Sequence, residues 1–516
     1  MAQPSQSFMR GTFVLSVAAF INRILGFISG IFVARVLGAE GIGLLMMAHP
    51  LVPLVITITE LGLPVAISKL VAEAYARGEL LKVRRILHVS LAVTSVLSVA
   101  LTTASLLGSE WIARFLLSDQ RAYYAMLAIT PIAPIIAVSA VLKGYFRGKQ
   151  QMKTIAASDV LEHTVQIACV LAMVHLLMPY GIAYAAAGAM AASVISEVFS
   201  LLFLLASYKL YGEVRVPGET WAKHLRQGKR TLTELLQIGL PTTGQGVIHS
   251  LYGAFQPLLI TSSLALAGIG TALATKQFGL LAGYVFPLLF MPSFITQSLS
   301  TALIPAISEA AANKNGLLIH ERMDQAMRLG LVIGAPATVI LFEWATPLMT
   351  LLYDAPEAGL LLRIMAPMFF LHYFDAPLHA ILIGLGQANT SLRNYMFATA
   401  FKATAMFVFG SQFGIVGVAF GLGFGIVVLT LLNFLSISNL IGFYWDIRPY
   451  AKGGICMLLM AISGQWIFGF LTDQELPLIW TVLGSITLSL LIYFLALKLT
   501  DAVKRKRKGR IVTLPW

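Results

Sequence analysis

The chain has 516 residues, 58% of them apolar and only 11% charged, against roughly 25% charged in an ordinary soluble domain. At about 20 apolar residues per membrane-crossing helix, that supply covers roughly fourteen helices. It excludes a soluble globular fold, a disordered chain and an outer-membrane barrel, whose strands alternate apolar and polar faces.

The segment Met1–Arg10 is polar, and the apolar run after it is too long for a signal-peptide core and lacks a small-x-small cleavage site, so it reads as a retained first helix. Hydropathy predicts helices over 11–36, 44–68, 87–109, 122–143, 155–178, 181–208, 233–265, 277–306, 327–351, 360–385, 394–412, 415–441, 453–471 and 477–498. A basic stretch, Lys209 to Thr233 with Pro217-Gly218, separates the first six from the rest. The expected fold is an all-α integral membrane protein of about fourteen transmembrane helices, with two parallel six-helix lobes around a central cavity plus two C-terminal helices. Its expected parts are an N-terminal lobe (1–208), a cytoplasmic linker (209–232), a C-terminal lobe (233–441), two extra helices (442–498) and a basic cytoplasmic tail (499–516).

A net charge of +13 would point to nucleic acid in a soluble protein; here it reads as topology, and no nucleic-acid partner is expected. Of the 36 Lys and Arg, 28 fall in loops on the side of the N-terminus or in the tail, Lys143 among them, and five in the opposite loops. By the positive-inside rule both termini are cytoplasmic. Arg23, Lys402 and Lys498 remain, in or at the end of helices. Cys169 and Cys456 have neither pair spacing nor a neighbouring His cluster, so no disulfide scaffold or metal site is supported. No phosphate-binding glycine loop and no catalytic constellation is present, so neither an enzyme nor a cofactor is expected. Energy for transport would come from an ion gradient, the membrane potential or consumption of cargo.

An internal repeat is visible. Ala66-Ile67-Ser68 recurs 240 positions later as Ala306-Ile307-Ser308, and Pro131, Gly144 and Gly148 are echoed by Pro367, Gly384 and Gly386. The matches fall at the ends of helices two and eight, then in four and ten. An even number of spans separates them, which makes the duplication parallel, an arrangement that places a binding cavity between two lobes.

Several phrases together carry a resemblance: Asn22-Arg23-Ile24-Leu25-Gly26-Phe27, Ala34-Arg35-Val36-Leu37-Gly38-Ala39-Glu40-Gly41, Leu61-Gly62-Leu63-Pro64-Val65-Ala66-Ile67-Ser68-Lys69 and Lys143-Gly144-Tyr145-Phe146-Arg147-Gly148. The chain resembles the polysaccharide-biosynthesis exporters of the multidrug/oligosaccharidyl-lipid/polysaccharide (MOP) superfamily, in a branch from endospore-forming bacteria. The resemblance implies a flippase in the bacterial plasma membrane whose cargo is a lipid-linked oligosaccharide, an undecaprenyl-diphosphate-linked peptidoglycan precursor for the spore cortex. Arg23 matches an arginine in the lipid II flippases of the same superfamily. A second arginine and an aspartate of that branch are Ser29 and Leu44 here, departures that bear on cargo identity.

Charges inside a membrane are expensive, so each is a functional candidate. Arg23, with its neighbour Asn22, offers a guanidinium fork for a diphosphate; the bland alternative is an ion pair with Glu60 or Glu162. Glu60 is a partner for Arg23, a proton or sodium carrier, or a polar residue at a helix break. Glu162, beside His163, faces a cavity or snorkels. Gln245, His249 and Gln256 share a face of the seventh helix, and His372, Asp375 and His379 a face of the tenth; each row fits a wet wall or interhelical hydrogen bonding. Lys402 is a second cation for the cargo or a partner of Asp375. Gly417, Gly421 and Gly425 read as a close-packing row. The tail from Lys504 to Arg510 offers a patch for anionic lipid.

Overall fold

The structure, a computed structural model, describes residues 4–212, 228–442 and 448–500, every element helical. Most of the 209–232 linker and the basic tail, with its predicted lipid contact, lie outside the described residues.

Residues 4–76 form α1 (Pro4–Ala48), α2 (Leu51–Glu60) and α3 (Leu63–Ala76). Gly38 breaks α1 with a positive φ of 65°, and Leu61 and Gly62, both left-handed, separate α2 from α3. Then come α4 (Leu80–Leu107), α5 (Ser109–Leu116), α6 (Tyr123–Ile129), α7 (Ile132–Gly148), α8 (Met152–Leu177) and α9 (Ile182–Ser207). Beyond the linker run α10 (Lys229–Leu266), α11 (Thr271–Gly279), a π-helical turn (Leu280–Val285), α12 (Phe286–Phe290) and α13 (Ser293–Ala312). Pro292 stands at the break before α13, whereas Pro305 is carried inside it. The chain ends in α14 (Gly316–Glu343), α15 (Ala345–Tyr353), α16 (Ala358–Gly384), α17 (Ala388–Ile441), α18 (Arg448–Asp473) and α19 (Leu478–Leu499).

Eleven stretches among the described residues are long and apolar enough to cross a membrane, two of them 57 and 54 residues long. The 54 residues of α17 would reach about 80 Å as one straight helix, far beyond the hydrocarbon core of about 30 Å. It does not run straight. Gly414 takes φ 62°, and the two halves fold back on each other. A Cβ at Gly417 would strike the Phe409 carbonyl, one at Gly421 the Met406 backbone, and one at Gly425 the Lys402 stem. The predicted glycine row is therefore the seam of a helical hairpin.

The chain separates into two compact units, one of residues 1–261 with 271–279, the other of 262–270 and everything from Leu280. The core of the first gathers Leu63, Ile67, Ile86, Val141, Phe146 and Leu235; that of the second gathers Ile307, Ile319, Trp344, Leu378, Ile381 and Tyr493. In the second unit α18 packs on Trp344, whose indole fills the space beside Gly464.

The repeat reappears as packing. In the first unit the backbone of Gly144 on α7 lies against Pro64 O and Ile67 of α3; in the second, Gly384 on α16 lies against Ile304 O and Ile307 of α13. Each partner is displaced by the same 240 positions. Ser308 Oγ adds a 3.1 Å bond to Gly384 O.

A charged knot fixes the turn of α1. Arg121 donates to Glu40, two residues past Gly38, at 2.6 Å and to Asp119 Oδ2 at 2.7 Å. The Thr275 hydroxyl of α11 donates to the same Asp119 oxygen at 2.9 Å. Here α11 comes close enough that a Cβ on Gly43 would strike the Thr275 carbonyl, and one on Gly279 the Ala39 carbonyl.

Candidate polar sites within the two units

In the first unit, three consecutive helices each carry polar residues one turn apart: Ser139 and Lys143 on α7, Asp159 and Glu162 on α8, Ser193 and Glu197 on α9. They converge. Lys143 Nζ lies 2.8 Å from Asp159 Oδ1 and 3.6 Å from Glu162 Oε2. Glu197 is only 4% exposed and lies beside Ser139, Glu162 and Lys143. Glu60, at the end of α2, is within electrostatic reach of Lys143 and Glu197. One turn along, Gln166 Nε2 donates to Ser193 Oγ at 3.1 Å, with His163 Nδ1 3.3 Å from Gln166 Oε1. The bond to Ser193 sets the register of α8 on α9, and His163, on the same helix as Gln166, holds the amide in place.

By its position in the sequence Lys143 reads as a loop cation marking topology. It sits instead within α7, in an ion pair with two carboxylates, and Glu162 has this lysine as a partner. Glu197 is a further member of the cluster, outside the residues expected from the sequence. It is the sole charged residue of α9, and by the cost of burying a charge in a membrane it deserved the same scrutiny as Glu60.

Arg23 lies on an exposed face of α1, and Asn22 beside it is half-buried. Ser29 and Leu44 are both buried. On α10, His249 is exposed and Gln256 half-buried, and Ser250 Oγ meets Thr57 Oγ1 of α2 at 2.9 Å. Gln245 belongs to the residues whose side chains are not described.

In the second unit the row on α16 divides among three partners. Asp375 Oδ1 accepts from Asn433 Nδ2 at 3.1 Å; Asn433 Oδ1 in turn accepts from Asn394 Nδ2 at 3.1 Å. His379 Nδ1 meets Ser391 Oγ at 2.8 Å. His372 packs edge-on against Phe290, ring centroids 5.1 Å apart. Lys402 is within electrostatic reach of Asp375 and His372. Its stem crosses Gly425 on the hairpin seam. The structure thus unites Asp375 and Lys402, and joins Glu60 and Glu162 around Lys143.

Long apolar helices arranged in two internally repeated units, each with a desolvated polar cluster, define a multi-pass membrane transporter. Residues 8–311 match the polysaccharide biosynthesis protein family and residues 281–408 the MatE family. The chain is 41% identical to stage V sporulation protein B of Bacillus subtilis (strain 168), over 98% of each chain. It therefore belongs to the polysaccharide biosynthesis protein family, within the MOP superfamily of flippases and transporters. Its fold is shared with lipid II flippase MurJ in an inward closed conformation (TM-score 0.71, 15% identity, 95% of this chain and 100% of that one). It is also shared with an inward-facing multidrug resistance MATE transporter of the MOP superfamily (TM-score 0.66, 20% identity, 84% and 98%).

Proposed function

We propose that the chain is an alternating-access flippase that carries a lipid-linked oligosaccharide, an undecaprenyl-diphosphate-linked peptidoglycan precursor used in spore-cortex synthesis, from the cytoplasmic to the outer leaflet. Fourteen crossings with both termini cytoplasmic complete this reading. The observation that carries it is Arg23: an arginine on an exposed face of a membrane helix that has Arg10 and Arg35 and no carboxylate before the break at Gly38. A guanidinium there suits a diphosphate, whose paired oxygens accept two parallel hydrogen bonds. Within the first unit Asn22 and His249 are further polar candidates of this reading; within the second, Lys402 is a further cation.

Depleting the protein should leave the precursor accumulated on the cytoplasmic leaflet. In a translocation assay, Arg23→Ala should abolish movement at unchanged protein level; normal flux in that variant removes the Arg23 assignment. The carboxylates around Lys143 favour a second reading, ion-coupled efflux of an amphipathic cation. Export of such a cation, with no precursor accumulating on depletion, would decide for it.

A further inference from the structure

The cluster in the first unit holds more acid than its one base can neutralise. Lys143 is matched by Asp159 at 2.8 Å, and Glu162, at 3.6 Å, takes what is left of the ammonium's field. Glu197 then brings another carboxyl into the same space, 4% exposed and alongside Glu162, with Glu60 within reach of both Glu197 and Lys143. Glu197 Oε1 and Ser139 Oγ are both buried without a hydrogen-bond partner. A buried carboxylate with an unpartnered oxygen and a second carboxylate beside it is an unstable arrangement. Two carboxylates side by side in a space poor in water repel each other, and one proton shared between them removes that repulsion. Adding one proton takes the pair from two negative charges to one, joins Glu197 to Glu162 by an O–H···O bond, and leaves Lys143 between Asp159 and the single charge that remains on the pair.

We propose that Glu162 and Glu197 form a proton-binding site that holds a single shared proton, with Lys143 as the fixed counter-charge. The groups facing it are Lys143 and Ser139 from α7, Asp159 and Glu162 from α8, and Glu60 from α2. The bond between Gln166 and Ser193 one turn away sets the register of α8 on α9, so a small slide of either helix separates the two carboxyls and releases the proton. This deepens the transporter reading and rests on it for its role: proton uptake by the pair would accompany one conformational change and release the other, which names the proton as the coupling ion.

The test reads protonation directly and needs no cargo. Purified full-length protein in detergent at neutral pH should show an infrared carboxylic C=O band that shifts in D2O and is lost in both Glu197→Gln and Glu162→Gln. A band that survives both substitutions, or no band at neutral pH in the parent, overturns the proposal. So does sodium binding at neutral pH by a parent that shows no such band, which would make the site a metal-cation site. Should Glu197→Gln fail to fold, Glu162→Gln alone gives the same reading. In vesicles loaded with the labelled lipid-linked precursor, the parent's flux should follow an imposed pH gradient, and Glu197→Gln should lose that dependence. Absence of flux in every variant would count against the flippase reading while leaving the infrared result standing.

Discussion

Asp119 shows how a single side chain settles a helix junction. Burial alone would raise its carboxyl, but the hydrogen bonds from Arg121 and Thr275 outweigh that and hold it below the ordinary carboxylate range. A carboxyl depressed in the fold stabilises it above the unfolded value of about 3.9, and that contribution is lost as pH falls through the folded value. Asp119→Asn should therefore lower stability by about 1–3 kcal/mol at neutral pH, read as a drop in thermal midpoint of the detergent-solubilised protein. The gap to the parent should close as the buffer is taken below the carboxylate range; a gap unchanged in acid would mean that packing, not charge, holds the junction. No sequence pattern pointed to this residue. It stands in a short loop where a lone aspartate is unremarkable; its partner Thr275 lies 156 positions away, and Glu40, which shares Arg121 with it, lies 79 away. Lys143 failed to stand out for the opposite reason: near the end of a helix a lysine looks like every other topology charge.

At the scale of the element, glycine decides where helices meet. The seam of α17 was legible because a four-residue glycine period on an apolar helix has few other uses. What it packed against was not, since nothing in the sequence says that a 54-residue helical run turns at Gly414 rather than at its neighbours. The repeat was legible as three-residue words. Its physical content, a glycine on α7 or α16 receiving an isoleucine of α3 or α13, is the same contact made twice. Both contacts are already tight: a Cβ at Gly144 would sit 2.9 Å from Pro64 O, and one at Gly384 would sit 2.7 Å from the Ile307 Cβ. Gly144→Val and Gly384→Val should each overpack their unit, costing about 1–3 kcal/mol. Thermal unfolding checks this, and a neutral result at either site would deny that the two contacts are equivalent.

For the whole molecule, hydropathy gave the helices and charge gave an orientation, because both are sums over many residues and tolerate local error. Lys143 is such an error: moving it from loop to helix leaves a 27-to-5 imbalance that still favours the same sides. Chain direction supplies a sharper test. With the N-terminus cytoplasmic, fourteen crossings place the turn at Glu475, between α18 and α19, outside the cell, and the turn at Lys314, between α13 and α14, inside it. Both positions have positive φ and are exposed, so a cysteine there is open to reagent. Cys169 and Cys456, half-buried and buried, are first replaced by serine or alanine. In intact cells an impermeant thiol reagent should label Glu475→Cys and spare Lys314→Cys, which becomes reactive only after permeabilisation. Labelling of both in intact cells, or the reverse pattern, would mean that one of the long helical runs crosses the membrane a different number of times than its length and hairpin seam imply, and the cytoplasmic placement of the basic tail would fall with it.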